Sequence, residues 1–292
     1  MSLKVSTAGI KLTPDAAIDL QLHTHYSDGL WMPEALIDHL VQEHFDLAAI
    51  TDHDRADTAA TLQVLAAAKG LPLLVAVEMT TTWNGEMTDV LCYGFDPEDN
   101  PLDALAQDVA RRQRENTQAI FDYLHQHGYT FPQGEDEADE RAAILDKPSA
   151  QQPNEMVAWL TRHGYGTGDQ SVGKILMGAG FAFATSEIAA VVDAAHRGGA
   201  VCLVAHPGRG DGFPCFDAAL LDQLRRDVPI DGLEAYYPLH TPEQTALYLD
   251  YARQHGLLTS SGSDSHSPDI PPIKYHVQQS RSLLERLGIE VK

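Results

Sequence analysis

The chain has 292 residues, of which 43% are hydrophobic, and its 20 Lys and Arg against 42 Asp and Glu give a formal net charge of −22. A chain of this size can bury a large core, either as one domain or as one domain with an insertion. The negative charge argues against duplex nucleic acid as a partner, because duplex binding needs a broad basic surface. A small anionic substrate is compatible with it, since divalent metals can reverse the local field inside a cleft.

Cysteine content and hydropathy predict a cytoplasmic protein. Cys92, Cys202 and Cys215 have neither zinc-ribbon nor disulfide-framework spacing, which favours a reducing compartment. No apolar run reaches the roughly 18 residues that span a bilayer, and the first residues lack the apolar stretch of a signal peptide. We therefore expect no membrane association, and no sequence feature indicates an obligate protein partner.

Short apolar runs alternate along the chain with amphipathic stretches. The runs that predict strands lie at 17–23, 47–51, 73–77, 89–93, 200–205, 230–235 and 257–261. The helical patterns lie at 33–44, 57–69, 186–197, 216–226 and 242–255. Pro33 at the start of the first pattern and Gly256 after the last are typical helix boundaries. Nearly continuous apolar runs indicate strands buried on both faces, so the alternation predicts an α/β fold with a parallel sheet or barrel.

The alternation stops between about 100 and 185. Residues 101–128 form a long helical pattern, and a second pattern lies near 153–163. The acidic segment 135–140 between them is predicted to be a solvated loop. We expect 15–100 and 185–292 to form the main domain, and 101–184 to be a mainly helical insertion that caps the active site.

Side chains that can bind metals follow most of the predicted strands. His23 and His25 are two residues apart, and such residues point to the same face of a strand, so both imidazoles are expected to converge. Further candidates are Asp28, Asp52, His53, Asp54, Glu78, Asp89, His206, Asp264 and His266. In parallel barrels the carboxyl ends of the strands form the active-site face. The set therefore predicts a multinuclear metal centre.

These residues stand in a recognisable series of motifs. The motifs are His23-x-His25 with Ser27-Asp28-Gly29, Ile50-Thr51-Asp52-His53-Asp54, Glu78, Ala205-His206-Pro207-Gly208 and Ser263-Asp264-Ser265-His266. In this order they resemble the PHP (polymerase and histidinol phosphatase) phosphoesterases of the amidohydrolase superfamily. The resemblance covers about 17–95 and 186–275 and implies a distorted (β/α)7 barrel. Residues 101–184 resemble the helical insertion of the branch that contains 3′,5′-nucleotide bisphosphatases and a 5′-3′ exoribonuclease.

The resemblance also implies which residues bind metal. The implied ligands are His23, His25, Glu78 and Asp264 for the first ion, Glu78 and His206 for the second, and Asp28, His53 and His266 for the third. Where many relatives have a histidine, this chain has Asp89. A carboxylate there either binds Mn²⁺ or Mg²⁺, or lies out of reach and leaves the second site weak.

Clustered divalent ions lower the pKa of water toward neutrality and neutralise phosphoryl oxygens, so we predict attack of a metal-activated hydroxide on phosphorus. Asp264, His206 and His53 are the expected catalytic residues, acting through the metal-bound water. His and carboxylate ligands without thiolate suit two or three ions, with Mn²⁺ favoured and Zn²⁺, Fe²⁺ or Mg²⁺ as alternatives.

The candidate substrate-binding residues are Arg209, Lys147, Lys174, Tyr237 and His240. The guanidinium of Arg209 can pair with a phosphate, although a surface arginine is an equal alternative. Lys147 and Lys174 are cations of the insertion. Tyr237 can stack on a base and His240 can meet a phosphate, with a buried aromatic pair as the alternative.

The predicted function is hydrolysis of the 3′-phosphate of a nucleoside 3′,5′-bisphosphate by a metal-dependent phosphomonoesterase. The alternatives are 5′-3′ exonucleolytic cleavage of short RNA, or hydrolysis of another small phosphate ester. Amide hydrolysis is disfavoured because none of the apolar strands ends in the lysine that bridges metals in many amidohydrolases. A non-catalytic metal-binding module is the other class of function, and it is disfavoured because the expected ligand positions are nearly all filled.

Overall fold

The computed structural model describes residues 7–131, 135–166 and 171–292, with the side chains of 135–137 left out. The strands are β1 Lys11–Leu12, β2 Ala17–Asp19, β3 Leu47–Ala49, β4 Leu73–Leu74, β5 Ala76–Met79, β6 Thr81–Trp83, β7 Glu86–Met87, β8 Val90–Tyr93, β9 Ser186–Glu187, β10 Val201–Val204, β11 Gly232–Tyr236, β12 Leu258–Ser261, β13 Tyr275–His276 and β14 Glu290–Val291. The α-helices are α1 Pro33–Gln42, α2 Ala59–Ala68, α3 Leu102–Gln126, α4 Glu135–Leu145, α5 Gln152–Arg162, α6 Val172–Gly178, α7 Ile188–Arg197, α8 Ala218–Asp227, α9 Pro242–His255 and α10 Arg281–Arg286. Within these ranges no helix is long and apolar enough to cross a membrane.

The chain divides into two compact units. The first comprises Met1–Ala106 with Ser186–Lys292, and the second comprises Gln107–Thr185. The first unit is a mixed α/β structure and contains the two larger sheets. The prediction that the inserted segment caps an active site stays a prediction.

The first unit contains a five-stranded sheet in the order β12-β11-β10-β8-β5 and a four-stranded sheet in the order β13-β2-β3-β4. Strands β10, β11 and β12 run parallel, as do β2, β3 and β4. Strand β8 is antiparallel to both of its neighbours, so the expectation of an all-parallel sheet is wrong at this strand. The reason is the short connection from Met79 to Val90, which contains the β6–β7 hairpin. A parallel crossover needs about a dozen or more residues, usually with a helix.

Backbone hydrogen bonds join both edge strands of the five-stranded sheet, β12 and β5, to the segments that follow β2 and β3 of the four-stranded sheet. At one edge the Leu20 N–H donates to the Ser261 carbonyl (3.1 Å), and Leu22 bridges to Ser265. At the other edge the Glu78 N–H donates to the Thr51 carbonyl (3.0 Å), next to a bridge between His53 and Glu78. Neither sheet closes on itself. The bonds at both edges bring the ends of β2, β3, β5 and β12 together.

Helices that follow the strands cover the five-stranded sheet with apolar faces. In α7 the buried residues Ile188, Val191, Val192 and Ala195 recur at helical spacing, and each large side chain buried in this way contributes about 1.5–3 kcal/mol. Helix α9 begins with a capping box at Thr241 and ends before Gly256, whose φ of 65° suits glycine.

The second unit is built around aromatic side chains of α3 and α5. Phe121 and Trp159 are fully buried and meet edge to face, with ring centroids 5.1 Å apart. The acidic segment 135–140, predicted as a loop, begins helix α4, so that prediction is wrong. Carboxylates are favourable in the first turns of a helix because of the helix dipole. Glu140 also accepts a hydrogen bond from the Trp159 indole (2.8 Å).

Candidate metal centre

The fold of the first unit brings potential metal ligands from several strands to one end of the strands. His23 follows β2, His53 follows β3, Glu78 lies in β5, His206 follows β10, and Asp264 and His266 follow β12. Asp89 comes directly before β8. Because β8 runs antiparallel to β5 and β10, its first residue lies at the same end of the sheet as the last residues of those two strands. The reversed strand therefore explains how Asp89 joins this set.

Glu78 is fully buried and contacts several of these side chains. Its Oε1 lies 3.1 Å from His206 Nε2, and its Oε2 lies 3.1 Å from His23 Nε2. The Gln21 amide donates to the same Oε2 (2.9 Å), and His53 Nε2 lies 3.9 Å from it. One carboxylate thus stands between imidazoles on both sides, as a ligand shared by two ions would.

Two further carboxylates, those of Asp264 and Asp28, lie close to the rings of His23 and His266. Asp264 Oδ1 lies 3.1 Å from His23 Nε2 and 3.5 Å from His266 Nδ1. Asp28 Oδ1 lies 3.3 Å from His266 Nε2 and 3.9 Å from His23 Nδ1. The rings of His23 and His266 stack with centroids 4.1 Å apart.

Three overlapping groups among the described residues at this end of the strands bring potential ligand atoms within 4.8 Å of one another. The groups are His23–Asp28–His53–His266, His23–Glu78–Asp264 and His53–Glu78–Asp89. Glu78, His23 and His53 each belong to two groups, which is the pattern expected of a multinuclear centre. Asp89 stands where many members of the family that this chain resembles have a histidine. One of its carboxylate oxygens lies within 4.8 Å of ligand atoms of Glu78 and His53.

His25 is placed differently from its partner in the motif. Strand β2 ends at Asp19, and residues 25–28 form a turn, so the strand alternation that was expected to aim both imidazoles at one spot does not extend to His25. Its ring lies beside Tyr26, with centroids 4.8 Å apart. None of the three groups above includes His25, and its role as a ligand stays a prediction.

The pKa shifts at this end of the strands follow from burial and from the carboxylate–imidazole contacts. Burial would raise the pKa of Glu78, but His53, His206 and His23 hold it well below its usual value. Burial would lower the pKa of His23, but Asp264 and Glu78 raise it well above its usual value. Burial would likewise raise the pKa of Asp264, but His23 lowers it. Glu78 and Asp264 are therefore ionised, as metal ligands must be.

Asp89 behaves in the opposite way because it faces other carboxylates. Burial, followed by the charges of Glu78 and Asp54, raises the pKa of Asp89 well above its usual value. A concentration of negative charge that holds a proton on one carboxyl is a favourable place for a divalent cation.

The donor atoms in these groups fit divalent metal ions. The Nδ1 atoms of His23 and His206 are buried without a hydrogen-bond partner. A neutral imidazole nitrogen with a free lone pair is a metal ligand, whereas leaving it unpaired in a core costs stability. The set is one of nitrogen and oxygen donors without sulfur, which suits Mn²⁺, Mg²⁺, Fe²⁺ or Zn²⁺.

Backbone strain is concentrated at the same end of the strands. Asp54, His206 and Asp264 have φ values of 52°, 30° and 55°, in the left-handed region that residues other than glycine rarely adopt. Strain of this kind is retained where the surrounding structure holds it in place, and it is frequent at functional sites.

Several residues support the centre without belonging to the three groups: Asp52, which the sequence offered as a potential ligand, and Gln21 and Glu234, which sequence reasoning missed. Asp52 accepts hydrogen bonds from the Thr24 hydroxyl and the Ser27 hydroxyl (both 2.7 Å), which fixes the turn after His23. Gln21 orients Glu78, and Glu234 accepts the His206 N–H (2.9 Å). Polar residues at every second position of 17–23 were a usable signal for Gln21, as was the lone carboxylate in β11 for Glu234.

The predicted substrate-binding residues fall into two sets. Arg209 Nη1 lies 3.6 Å from Asp264 Oδ2, and the Tyr237 hydroxyl donates to the same oxygen (3.4 Å), so both lie beside the centre. His240 has both ring nitrogens bonded to the backbone, to the Gly208 N–H (3.0 Å) and the Ala235 carbonyl (3.2 Å), and it therefore positions the loop after His206. Lys147 and Lys174 belong to the second unit, and Lys147 Nζ lies 3.6 Å from Glu155.

Comparison with known proteins gives relatives over nearly the full chain, although no family model matches. A 3′,5′-nucleoside bisphosphate phosphatase from Chromobacterium violaceum is 26% identical over 88% of this chain and 94% of its own. A 5′-3′ exoribonuclease from Salmonella typhimurium is 29% identical over 86% of this chain and 85% of its own.

Two solved structures share the fold. A protein assigned as a metal-dependent phosphoesterase from Bifidobacterium adolescentis superposes with a TM-score of 0.73 at 23% identity, over 94% of this chain and 97% of its own. An amidohydrolase from Chromobacterium violaceum with bound sulfate superposes with a TM-score of 0.68 at 24% identity, over 93% of this chain and 97% of its own. The predicted resemblance to metal-dependent phosphoesterases is confirmed. The phosphoesterases that match by sequence include both a phosphatase and an exoribonuclease, so the similarity supports metal-dependent phosphoester hydrolysis but leaves the substrate open.

Proposed function

We propose that this protein is a divalent-metal-dependent phosphomonoesterase that removes the 3′-phosphate of a nucleoside 3′,5′-bisphosphate. The observation that carries the proposal is the position of Glu78, whose two oxygens each lie 3.1 Å from a different imidazole. Together with the three overlapping ligand groups, this arrangement is typical of a centre in which clustered ions act on one phosphoryl group.

We also infer that the two larger sheets form the distorted (β/α)7 barrel of the PHP domain. The hydrogen bonds that join both edge strands of the five-stranded sheet to the segments after β2 and β3 support closure. The antiparallel β8 is a distortion of such a barrel.

The proposed ligand assignment starts from these groups and adds His206, whose Nε2 lies 3.1 Å from Glu78 Oε1. His23, Glu78 and Asp264 hold one ion, Glu78 with Asp89 and His206 holds a second, and Asp28, His53 and His266 hold a third. His25 is retained as a candidate for the first ion. When bound, such ions lower the pKa of a water molecule and offset the charge that develops on the phosphoryl oxygens. Mn²⁺ is the proposed metal, because mixed imidazole and carboxylate ligands suit it.

The chain's own residues then bind and orient the phosphate ester. The Arg209 guanidinium lies beside Asp264 and packs over the Phe213 ring (5.0 Å from its centroid), which holds a permanent cation at the rim of the centre. A guanidinium can donate two parallel hydrogen bonds to one phosphate. The Tyr237 hydroxyl, next to the same Asp264 oxygen, offers a further contact to the ester.

The choice of a bisphosphate is supported by the bisphosphate phosphatase among the relatives and by the chain's charge. A chain at −22 repels a long polyanion over most of its surface, whereas a metal-containing cleft still holds two phosphates. Lys147 and Lys174 are proposed as anchors for the phosphate that is not cleaved. The second candidate, favoured by the exoribonuclease relatives, is release of 5′-nucleotides from short RNA at the same centre.

The test is a comparison of kcat/KM with Mn²⁺ for adenosine 3′,5′-bisphosphate, 3′-AMP, 5′-AMP and a 5′-phosphorylated oligoribonucleotide. The bisphosphate is expected to be the best substrate. A preference of tenfold or more for the oligonucleotide, about 1.4 kcal/mol of transition-state stabilisation, would overturn the bisphosphatase assignment.

Two controls separate metal-centre chemistry from contamination. His23→Ala is expected to abolish turnover, whereas His255→Ala, at an exposed histidine of α9, is expected to leave it unchanged. Full activity after exhaustive chelation would contradict the metal requirement itself.

A further inference from the structure

A separate cluster of potential ligands lies at the opposite ends of β10 and β11. His196 is in the last turn of α7, Cys202 is the second residue of β10, and Asp231 directly precedes β11. The metal centre described above involves His206, which follows the other end of β10. The two clusters therefore lie at opposite ends of the strands of the same sheet.

The three side chains are close enough to share one ion. The His196 Nε2 lies 2.8 Å from Asp231 Oδ2, and the same oxygen accepts the Cys202 N–H (2.8 Å). One ligand atom from each of His196, Cys202 and Asp231 lies within 4.8 Å of the other two. In a tetrahedral zinc site with bonds of about 2.0–2.3 Å, ligand atoms stand about 3.3–3.8 Å apart. Small side-chain adjustments therefore convert the cluster into a coordination shell.

We propose that His196, Cys202 and Asp231 form an additional metal site that binds a zinc-type divalent ion, with water in the fourth position. Sulfur, imidazole nitrogen and carboxylate oxygen are together a borderline-soft ligand set, for which Zn²⁺ is the usual ion. Binding would replace the Cys202 S–H bond with a metal–sulfur bond and release that proton to solvent. The proton that His196 Nε2 donates to Asp231 would move through solvent to Nδ1, which frees Nε2 and the Asp231 oxygen to bind the metal.

Burial and access support this assignment. Cys202 is fully buried, whereas the side chains of His196 and Asp231 are 34% and 27% exposed, so an ion can enter from the solvent side. An ordinary surface ion pair accounts for His196 and Asp231 but not for a thiol within reach of both.

An ion at this site would have a structural consequence. It would link the end of α7 to the beginnings of β10 and β11, and so join His196 and Asp231, which are 35 positions apart in the chain. Because it would bind the folded state, it is expected to raise the unfolding temperature in a concentration-dependent way.

Cobalt is a selective probe, because only a thiolate ligand gives sulfur-to-cobalt charge-transfer absorption in the near ultraviolet. The ligands proposed for the phosphoesterase centre are nitrogen and oxygen atoms. In the full chain, Co²⁺ titration is expected to produce this band, and Zn²⁺ is expected to displace it. Since the readout does not use turnover, it holds whether or not the phosphatase proposal survives.

Matched variants decide the ligands. Cys202→Ser is expected to abolish the band, and Cys215→Ser, at the exposed cysteine, is expected to keep it. Because Cys202 is buried and its variant can misfold, His196→Gln and Asp231→Asn are the second arm, each expected to weaken Co²⁺ binding at least about tenfold. His163→Gln removes a histidine–carboxylate pair of the same 2.8 Å length without a sulfur nearby, and is expected to have no effect. Absence of the band in the wild type, its persistence in Cys202→Ser, or its loss in Cys215→Ser would overturn the proposal.

Discussion

Two equally buried glutamates in the first unit have opposite pKa shifts because only one of them is surrounded by imidazoles. Glu78 and Glu234 are both fully buried. The pKa of Glu78 is held well below its usual value because three imidazoles offset the cost of burial, whereas burial raises the pKa of Glu234 well above its usual value. The surroundings therefore favour the anionic form of Glu78 and the neutral form of Glu234.

This difference gives a matched pair of substitutions. Glu78→Gln is expected to lower both bound metal and kcat/KM by about a hundredfold or more, because it removes the charge shared by the ligand groups. Glu234→Gln is expected to change either quantity less than about tenfold, since an amide oxygen still accepts the His206 N–H and no charge is lost. Metal analysis and kinetics on both proteins check this. Equal losses in the two variants would mean that Glu78 acts only as a packing group.

His240 supplies a prediction about pH. Burial lowers its pKa from 6.5 to about 4, and its ring nitrogens are satisfied as a neutral imidazole. A group whose pKa is lower in the folded state stabilises the fold fully above its unfolded pKa, and this contribution is lost as pH falls toward the folded value. The free energy of unfolding is therefore expected to fall between about pH 6.5 and pH 4.

His240→Gln should remove this component. Urea unfolding is measured for both proteins at pH 7 and pH 5, and the stability lost by the wild type is expected to exceed that lost by the variant by about 1 kcal/mol, after allowance for partial exposure. A stability difference between the two proteins that does not change with pH would contradict the neutral, buried assignment.

At the scale of elements, hydrophobic pattern and punctuation predicted most helices and strands of the first unit. The apolar run 200–205 became β10 and the pattern after Pro33 became α1, because burial and helix boundaries act locally. Direction was not predictable in the same way. The reversal of β8 depends on the β6–β7 hairpin, whose turn at Asn84 and Gly85 has positive φ at both residues.

The site was predictable in its residue types but not in its supporting contacts. Motif spacing identified His23, Glu78 and Asp264, which the fold brings together. The exclusion of His25 from these groups depends on where β2 ends, and the roles of Asp52 and Gln21 depend on hydrogen bonds between distant segments. Such contacts arise from the tertiary fold, which a local pattern does not encode.

The turn after β2 supplies a prediction at this scale. A Cβ on Gly29 would lie 2.5 Å from the His23 carbonyl oxygen and 2.8 Å from the Thr24 nitrogen, both of them backbone atoms. Gly29→Ala is therefore expected to displace the His23 segment, lower stability by about 1–3 kcal/mol and reduce bound metal. Thermal unfolding and metal analysis measure the two effects.

Gly173 provides the control, since among the described residues, apart from the backbone of its own helix, an added Cβ would have only the Ser171 hydroxyl within 4 Å, at 4.0 Å. It lies in α6, where alanine is a better helix former, so Gly173→Ala is expected to be neutral or slightly stabilising. If Gly29→Ala retained full stability and metal content, the close approach would not constrain the ligand.

At the scale of the whole molecule, the dominant property is the charge of −22. A surface field of this sign repels an anionic substrate at long range, whereas Arg209 and bound ions attract it only close to the centre. The two contributions differ in range, so salt affects them differently. Screening weakens the distant repulsion of exposed charges most, and buried or contacting pairs least.

Raising ionic strength is therefore expected to assist capture of anionic substrates. Between about 0.01 M and 0.15 M salt the Debye length shrinks from about 30 Å to about 8 Å, and kcat/KM for the bisphosphate is expected to rise roughly two- to tenfold. The rise should be steeper for an oligoribonucleotide, which carries more charge, and shallower for an aryl monophosphate ester, which carries less. The three substrates are compared at fixed Mn²⁺ with a non-coordinating salt. A fall in kcat/KM with salt for all three would show that a local positive field, rather than the net charge, controls substrate capture.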